Sequence, residues 1–171
     1  MAEEEHADIL RECEHLAELD DRELSALVER CDSRRFVTGE ALWTVGEKGE
    51  SAFVLCSGRV EIAWRVQPDG QKKKQITDPG SLMGLPHLIH AWAHESSAYP
   101  LERTEVLRID QSDFRELFDA QHPAAYRLVD AVAEELVGEV RDANRRLQEV
   151  FGRPAETLRT LRRRTHESER R

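Results

Sequence analysis

The hydrophobic positions of the chain change their period twice, which divides it into three stretches. In the first stretch, residues 6–31, apolar side chains recur at helical spacing, and Asp20 or Asp21 is placed to cap a second helix. Two helices are therefore predicted, with these apolar faces: Ile9, Leu10, Cys13, Leu16 and Leu19, then Leu24, Leu27, Val28 and Cys31.

The second stretch, from Arg35 to Ile109, consists of short apolar runs separated by turns rich in glycine, proline and aspartate. Turns at intervals of roughly 7 to 12 residues are typical of an antiparallel sandwich or barrel. The third and fourth runs should pair across a Pro-Asp-Gly turn, and the last two should form another pair. The strand candidates are Ala41 to Val45, Ala52 to Cys56, Arg59 to Val66, Gln71 to Thr77, Ser96 to Leu101 and Thr104 to Ile109.

The third stretch is helical again. A first helix follows Asp110, and Pro123 suits the first turn of a second one that extends to about Phe151, or ~40 Å at 1.5 Å per residue. An apolar stripe of this length exceeds what a small barrel covers, so half of it is expected to bind the same helix of a second copy. The alternative is packing on the barrel alone. The stripe consists of Val129, Val132, Leu136, Val140, Ala143, Leu147 and Val150.

The net charge of −9 is unevenly distributed. Residues 1–32 hold twelve acidic side chains against three arginines, whereas residues 153–171 hold seven arginines against three glutamates. An acidic body repels nucleic acid, so only the tail has the charge to contact phosphates, without sequence preference. The alternatives for the tail are solvated charge, or docking on the acidic N-terminal helices of the same or a partner chain.

Several classes of protein are not expected. No apolar run approaches the ~20 residues of a membrane span, and the acidic start lacks the basic opening of a secretory signal. Three widely spaced cysteines, Cys13, Cys31 and Cys56, fit reduced thiols. We therefore expect a cytoplasmic protein. We expect no sequence-specific DNA binding, because too few residues follow Phe151 for a helix-turn-helix domain.

Several motifs, with glycines at positions 39, 46, 58, 80 and 84, stand at spacings that match a known family. They are Phe36-Val-Thr-Gly39-Glu40-Ala-Leu-Trp43, Gly46, Ser51-Ala-Phe-Val-Leu-Cys-Ser57-Gly58-Arg-Val-Glu-Ile62, Pro79-Gly80, Met83-Gly84, Ser97-Ala98 and the segment from Thr104 to Phe114. Over about residues 9–150, this set resembles the cyclic-nucleotide-binding domain family, whose β-roll is that of the cAMP receptor protein.

The resemblance implies a mainly β fold with flanking helices (α+β class). Its centre is an antiparallel β-roll, or jelly roll, over residues 35–110, with N-terminal helices over 6–31 and helices over 111–151. Residues 1–151 are predicted to form one domain, and residues 152–171 an arginine-rich flexible tail.

The resemblance also places a phosphate-binding cassette between Pro79 and Ala98. In binding-competent members, a short helix presents N–H groups to the cyclic phosphate, a glutamate after a glycine takes the ribose 2′-hydroxyl, and an arginine before a small-residue pair binds the phosphate. This sequence has Gly84-Leu85 at the first pair, a proline without N–H next, and Ser96 at the arginine position.

The loss of these groups predicts weak or no binding of cyclic AMP and cyclic GMP. Hydrogen bonds to charged groups contribute about 1.5–3 kcal/mol each, so two missing anchors cost about 3–6 kcal/mol, or 10²–10⁴ in affinity. No lysine or arginine lies between Lys74 and Arg103. The predicted pocket consists of Met83, Gly84, Leu85, Pro86, His87, Leu88, Ser96, Ser97 and Ala98.

Three histidines, His87, His90 and His94, lie within eight residues of one another. If one helix contained all three, they would share a face and offer a ligand set for zinc, a similar metal or haem. That helix would have to persist to His94. The alternative is three core or solvated histidines, and no cofactor is assigned.

No catalytic residues are predicted. The chain has no Gly-x-Ser-x-Gly elbow, no Gly-Lys-Ser phosphate loop and no His-Glu-x-x-His pair. The cysteines are too dispersed for an iron–sulfur cluster. We therefore expect a protein without enzymatic activity.

Two hypotheses remain at this stage. The first is a dimeric regulatory or adaptor module that uses a degenerate cassette to bind a protein. The second is a sensor of an atypical small molecule, for which the replacement of polar groups by Leu85 and Pro86 favours a neutral ligand. A further alternative is that an arginine from elsewhere, such as Arg59 or Arg103, binds phosphate.

Overall fold

The structure, a computed structural model, describes residues 2–66 and 70–151. The two predicted N-terminal helices are present as α1 (Ala2–Glu12) and α2 (Asp21–Val28). Helix α1 ends before three positions of its predicted apolar face, Cys13, Leu16 and Leu19, which lie buried in the segment between the two helices. Asp20 caps α2, because its carboxylate accepts the backbone N–H groups of Arg22 and Glu23 at 2.9 Å while the Glu23 carboxylate accepts the N–H of Asp20. The predicted tail at 152–171 and the turn at 67–69 lie outside the described residues.

In the described part of the chain, seven strands form two antiparallel sheets. In one sheet the order is β1-β7-β2-β5, and in the other it is β4-β3-β6. The strands are β1 (Cys31–Phe36), β2 (Ser51–Ser57), β3 (Val60–Val66), β4 (Gly70–Ile76), β5 (Leu82–Met83), β6 (Ser96–Pro100) and β7 (Thr104–Asp110). The pairing of β3 with β4, from Val60 opposite Ile76 to Val66 opposite Gly70, confirms the predicted hairpin.

Three strand or helix predictions were wrong. Cys31 begins β1 instead of ending a helical stripe, and the polar sequence of β1 gave no strand signal. Residues 41–45 contribute only a single bridge, between Trp43 and Ala98. Strands β6 and β7 do not pair with each other, because β6 joins β3 whereas β7 lies between β1 and β2.

The four-stranded sheet separates two hydrophobic clusters. Side chains of a strand alternate between faces, so one face contributes Phe53, Leu55 and Val106 to an inner cluster shared with β3 and β6. The other face contributes Ala52, Val54, Leu107 and Ile109 to an outer cluster with the helices. The inner cluster is the core of the roll. Of the predicted pocket positions, Met83 and Ala98 belong to the inner cluster, and Leu85 and Leu88 belong to the outer cluster.

The remaining helices are α3 (Pro86–Ile89), α4 (Gln111–Asp119) and α5 (Pro123–Phe151). Gln121, with φ of 56°, makes the left-handed turn between α4 and α5, and α5 begins at Pro123 as predicted. The fold as a whole, with antiparallel sheets, flanking helices and a long C-terminal helix, confirms the predicted class. None of the described helices is both long and apolar enough to cross a membrane.

The chain divides into two compact units after Val132. In the first unit, Leu128, Ala131 and Val132 of α5 are buried in the outer cluster. From Leu136 to Leu147, the apolar side chains of α5 are exposed, as 39% exposure at Leu136 and 59% at Val140 illustrate. The single-domain boundary at residue 151 stays a prediction.

Candidate functional site

The predicted cassette begins with a tight turn after β5. Gly84 has φ of 71°, a left-handed conformation that favours glycine, and the short helix α3 starts two residues later at Pro86. Pro86 occupies the first turn of α3, where a proline fits without loss of a helical hydrogen bond. The chain therefore retains the turn and short helix of the cassette.

The side chains of this turn lie in the protein core. Leu85, at the position where the resemblance implies a ribose-binding glutamate, is 4% exposed and packs in the outer cluster with Leu88. Met83 is buried in the inner cluster. At Leu85 a carboxylate is therefore replaced by a leucine that packs among apolar neighbours, so no group at this position can accept a ribose hydroxyl.

The two serine hydroxyls of β6 are already hydrogen-bonded within the protein. Ser96 Oγ accepts the indole N–H of Trp43 at 3.3 Å, and Ser97 Oγ accepts the backbone N–H of Val45 at 2.9 Å. Ala98 is fully buried and exchanges backbone hydrogen bonds with Leu42 and Trp43. The predicted phosphate-binding edge thus holds the 42–45 segment against the roll.

The three histidines do not share a helix face. Helix α3 ends at Ile89, and the cap residue His90 is extended, with φ of −145° and ψ of 134°. His87 and His94 nevertheless meet, with ring centroids 4.0 Å apart, whereas His90 is exposed and lies against Trp92. Within residues 2–66 and 70–151, no group of three or more histidine, cysteine, aspartate or glutamate side chains is arranged to hold a metal ion.

The two paired histidines are buried and neutral. Burial lowers the pKa of His87 and, with the nearby His87 adding to the effect, lowers the pKa of His94 to about 4. The carboxylate of Glu47 opposes the change at His94 but does not offset it. A charge on either ring is therefore disfavoured by desolvation.

His87 is held by close packing rather than by hydrogen bonds to its ring. Its Nδ1 is buried and has no hydrogen-bond partner. A Cβ added to Gly49 would overlap this ring, so only glycine fits at that position. The amide of Gln111, in α4, donates to the backbone carbonyl of His87 at 3.1 Å and ties the cassette to the next helix.

A column of four rings extends from His87 into the inner cluster. His94 stacks on Trp43 at 5.1 Å between centroids, and Trp43 stacks on Phe53 at 5.5 Å. Backbone hydrogen bonds of Gly46 to His94 and of His94 to Glu47, both 2.8 Å, fix the segment that carries His94. The column was not predicted, because its members come from segments far apart in the sequence.

A groove of about 640 Å³ lies beside this column. Arg34 of β1 and Arg108 of β7 line it, together with Phe36, Ser51 and other residues of the roll. Arg59, which sequence reasoning considered as a phosphate ligand, is instead on the surface and paired with Glu102 at 3.1 Å, and Arg103 is also exposed. Neither of these two residues lines the groove.

The groove residues could have been found from the sequence only in part. Strand β7 alternates regularly, so Arg108 falls on the face of Val106 rather than on that of Leu107. An arginine on the inner face of a roll is a departure from the apolar pattern. Strand β1 gave no such signal, since it was not recognised as a strand.

Comparison with known proteins agrees with the fold. The sequence profile described as the cyclic nucleotide-binding domain matches residues 33–121. The cyclic AMP receptor protein of Thermus thermophilus is 26% identical over 104 residues, which cover 60% of this chain and 48% of that protein. The chain thus spans about half the length of this curated relative.

Solved structures show the same fold at lower identity. The catabolite activator protein of Thermus thermophilus superimposes with a TM-score of 0.72 at 21% identity, covering 88% of this chain and 71% of that one. The regulatory subunit of a cAMP-independent protein kinase A from Trypanosoma cruzi, bound to guanosine, gives 0.64 at 19% identity, with coverage of 77% and 44%. The profile match extends over more than half of the chain, and the chain therefore belongs to the cyclic nucleotide-binding domain family.

Proposed function

We propose that this chain is a non-enzymatic regulatory module that binds cyclic AMP and cyclic GMP weakly or not at all and acts through protein contacts. The observation that carries the proposal is the state of the cassette. Leu85 packs in the hydrophobic core, and the hydroxyl of Ser96 accepts a hydrogen bond from Trp43. The two positions that would hold ribose and phosphate therefore serve the fold.

The free energy of the absent hydrogen bonds supports the same conclusion. Two charge-assisted anchors are absent, which lowers the affinity by about 10²–10⁴ at 1.4 kcal/mol per tenfold. Glu95 adds a negative charge next to Ser96, which further disfavours a cyclic phosphate. The cassette keeps its turn and short helix but lacks the charged groups that select a nucleotide.

A sensor of a neutral ligand is the second candidate. The apolar side chains at Leu85 and Leu88 and the neutral histidine pair suit an uncharged molecule better than a phosphate. The structural relative from Trypanosoma cruzi, whose protein is described as cAMP-independent and bound to guanosine, is an example in this fold of a nucleoside without phosphate. Such a ligand would have to displace part of the ring column.

The exposed part of α5 supports homodimerisation. Leu136, Val140 and Leu147 are 39%, 59% and 52% exposed, and Leu136 and Ala143 belong to the same heptad position. Contiguous exposed apolar surface is uncommon on monomers and marks interaction sites. A second α5 offers the complementary stripe without any further partner.

The test of the nucleotide proposal is isothermal titration of the full chain with cyclic AMP and cyclic GMP. We expect no saturable heat up to about 1 mM of either ligand. A parallel titration with guanosine separates the two candidates, because saturable guanosine binding supports the sensor. A dissociation constant below about 1 μM for a cyclic nucleotide refutes the proposal.

The test of the dimer is light scattering after gel filtration. Leu136→Glu places a charge in the apolar stripe and should give a monomer. The matched control is Gln148→Glu, which adds the same charge at an exposed position of α5 outside the stripe. A monomeric wild type, or a dimer that withstands Leu136→Glu, contradicts dimerisation through this stripe.

A further inference from the structure

Two arginines lie on the inner face of the roll, where an apolar lining is the rule. Arg34 is directly opposite Val106, and Arg108 is directly opposite Phe53, and both opposing residues belong to the inner cluster. Residues directly opposite each other in a sheet share a face. The guanidinium groups of Arg34 and Arg108 therefore stand on neighbouring strands at the charged end of an otherwise apolar surface.

The guanidinium of Arg108 is held in place by the protein. Its Nε donates to Ser51 Oγ at 2.9 Å, its Nη2 pairs with Asp110 Oδ1 at 2.6 Å, and Ser51 Oγ donates to the same carboxylate oxygen at 2.6 Å. Nη1 takes part in none of the hydrogen bonds found in the described part of the chain. A guanidinium has five N–H donors, so donors remain for a ligand on a group that is already oriented.

Arg34 has similar spare capacity. Among residues 2–66 and 70–151, Asp32 is its hydrogen-bonding partner, at 2.9 Å from Nη2, and half of the Arg34 side chain is exposed. The carboxylates of the groove are less available, because Glu40 and Glu47 accept the backbone N–H groups of Val37 and Thr44 at 2.9 Å and Glu50 pairs with Lys48. Arg34 and Arg108 therefore keep N–H donors at the groove, next to carboxylates that already have partners.

The apolar side of the groove sets the shape of the ligand. Phe36 and Leu42 are half-buried and pack on the inner cluster, so each keeps exposed surface. The groove volume of about 640 Å³ is within the range of small-molecule sites. Carboxylate and phosphate oxygens are the acceptors that guanidinium groups bind best.

We propose that the groove between β1 and β7 is a binding site for a small organic anion, whose carboxylate or phosphate is held by Arg34 and Arg108 and whose flat apolar part lies on Phe36 and Leu42. The site lies beside the cassette: His94 is the lining residue that falls between Pro79 and Ala98, and none of the lining residues is one of the predicted pocket positions. It also does not depend on the proposed function, because it requires no cyclic nucleotide.

The experiment is isothermal titration of the full chain with 2-naphthoate and with adenosine 5′-monophosphate, which present the two anions on flat rings. We expect saturable binding of at least one probe below about 1 mM. Arg34→Gln and Arg108→Gln should each weaken it about tenfold. The matched control is Arg59→Gln, which removes a surface arginine outside the groove and should leave the affinity unchanged.

Each outcome decides the inference. Selective binding of 2-naphthoate assigns a carboxylate ligand, and selective binding of the monophosphate assigns a phosphate. Arg34 lies on the surface, so its variant tests the site even if Arg108→Gln destabilises the fold through Asp110. The inference is overturned if neither probe binds up to about 5 mM, if Arg34→Gln has no effect, or if Arg59→Gln weakens binding equally. Because cyclic AMP also presents a phosphate on a flat ring, Arg34→Gln is included in the cyclic AMP titration, so that heat from this groove is distinguished from binding at the cassette.

Discussion

Acidification should destabilise the fold through His94, and replacement by phenylalanine should remove most of that effect. Burial lowers the pKa of His94 from 6.5 to about 4, so the folded protein disfavours the proton that the unfolded chain accepts. Neutral His94 therefore contributes fully to the free energy of unfolding above pH 6.5, and this contribution is lost as the pH falls towards 4. His87 acts in the same direction, since burial also lowers its pKa.

The magnitude follows from linkage. A pKa difference of one corresponds to about 1.4 kcal/mol, so lowering the pKa of His94 from 6.5 to about 4 corresponds to about 3 kcal/mol in the free energy of unfolding. This is a large part of the 5–15 kcal/mol that is typical of a folded domain. With a urea dependence of about 2 kcal/mol per M, the unfolding midpoint should fall by about 1.5 M between pH 7 and pH 4 from this histidine alone.

The assay is urea unfolding, followed by circular dichroism, of the wild type and of His94→Phe at a series of pH values. Phenylalanine keeps a ring on Trp43 but does not titrate, so the difference between the two pH profiles isolates the histidine. His90→Phe is the control, because His90 is exposed and outside the pair. Parallel pH profiles for the wild type and His94→Phe would refute the reasoning.

Three other substitutions test a close contact, helix propensity and a helix cap. Gly49→Ala should lower the melting temperature by several degrees, because the added Cβ would overlap the ring of His87. Gly138→Ala should raise the stability of α5 by up to about 1 kcal/mol, because the added Cβ meets no neighbouring atom and alanine favours a helix more than glycine does. Unchanged melting of Gly49→Ala would contradict the tight packing. Asp20→Ala should cost about 1 kcal/mol in urea unfolding through loss of the α2 cap, and a change below about 0.3 kcal/mol would show that the cap is dispensable.

Local features of the fold were predictable from the sequence. The cap at Asp20, the β3–β4 hairpin and the start of α5 at Pro123 each depend on residues close together in the chain. The absence of the expected glutamate and arginine at Leu85 and Ser96 was also visible in the sequence. These features need only local hydrogen bonding, fixed φ angles or the presence of a given side chain.

Long-range pairing decided the rest. Strand β1 is polar and largely exposed, so its side chains show no strand pattern. Its backbone hydrogen bonds to β7 make it a strand. The same pairing brings Arg34 beside Arg108, and the hydrogen bonds of the 46–49 segment bring His94 to His87. The sequence by itself determined the family, the order of elements and the loss of the nucleotide-binding groups. Only the tertiary structure decided which side chains occupy the interior, because contacts between distant segments depend on sheet order and register.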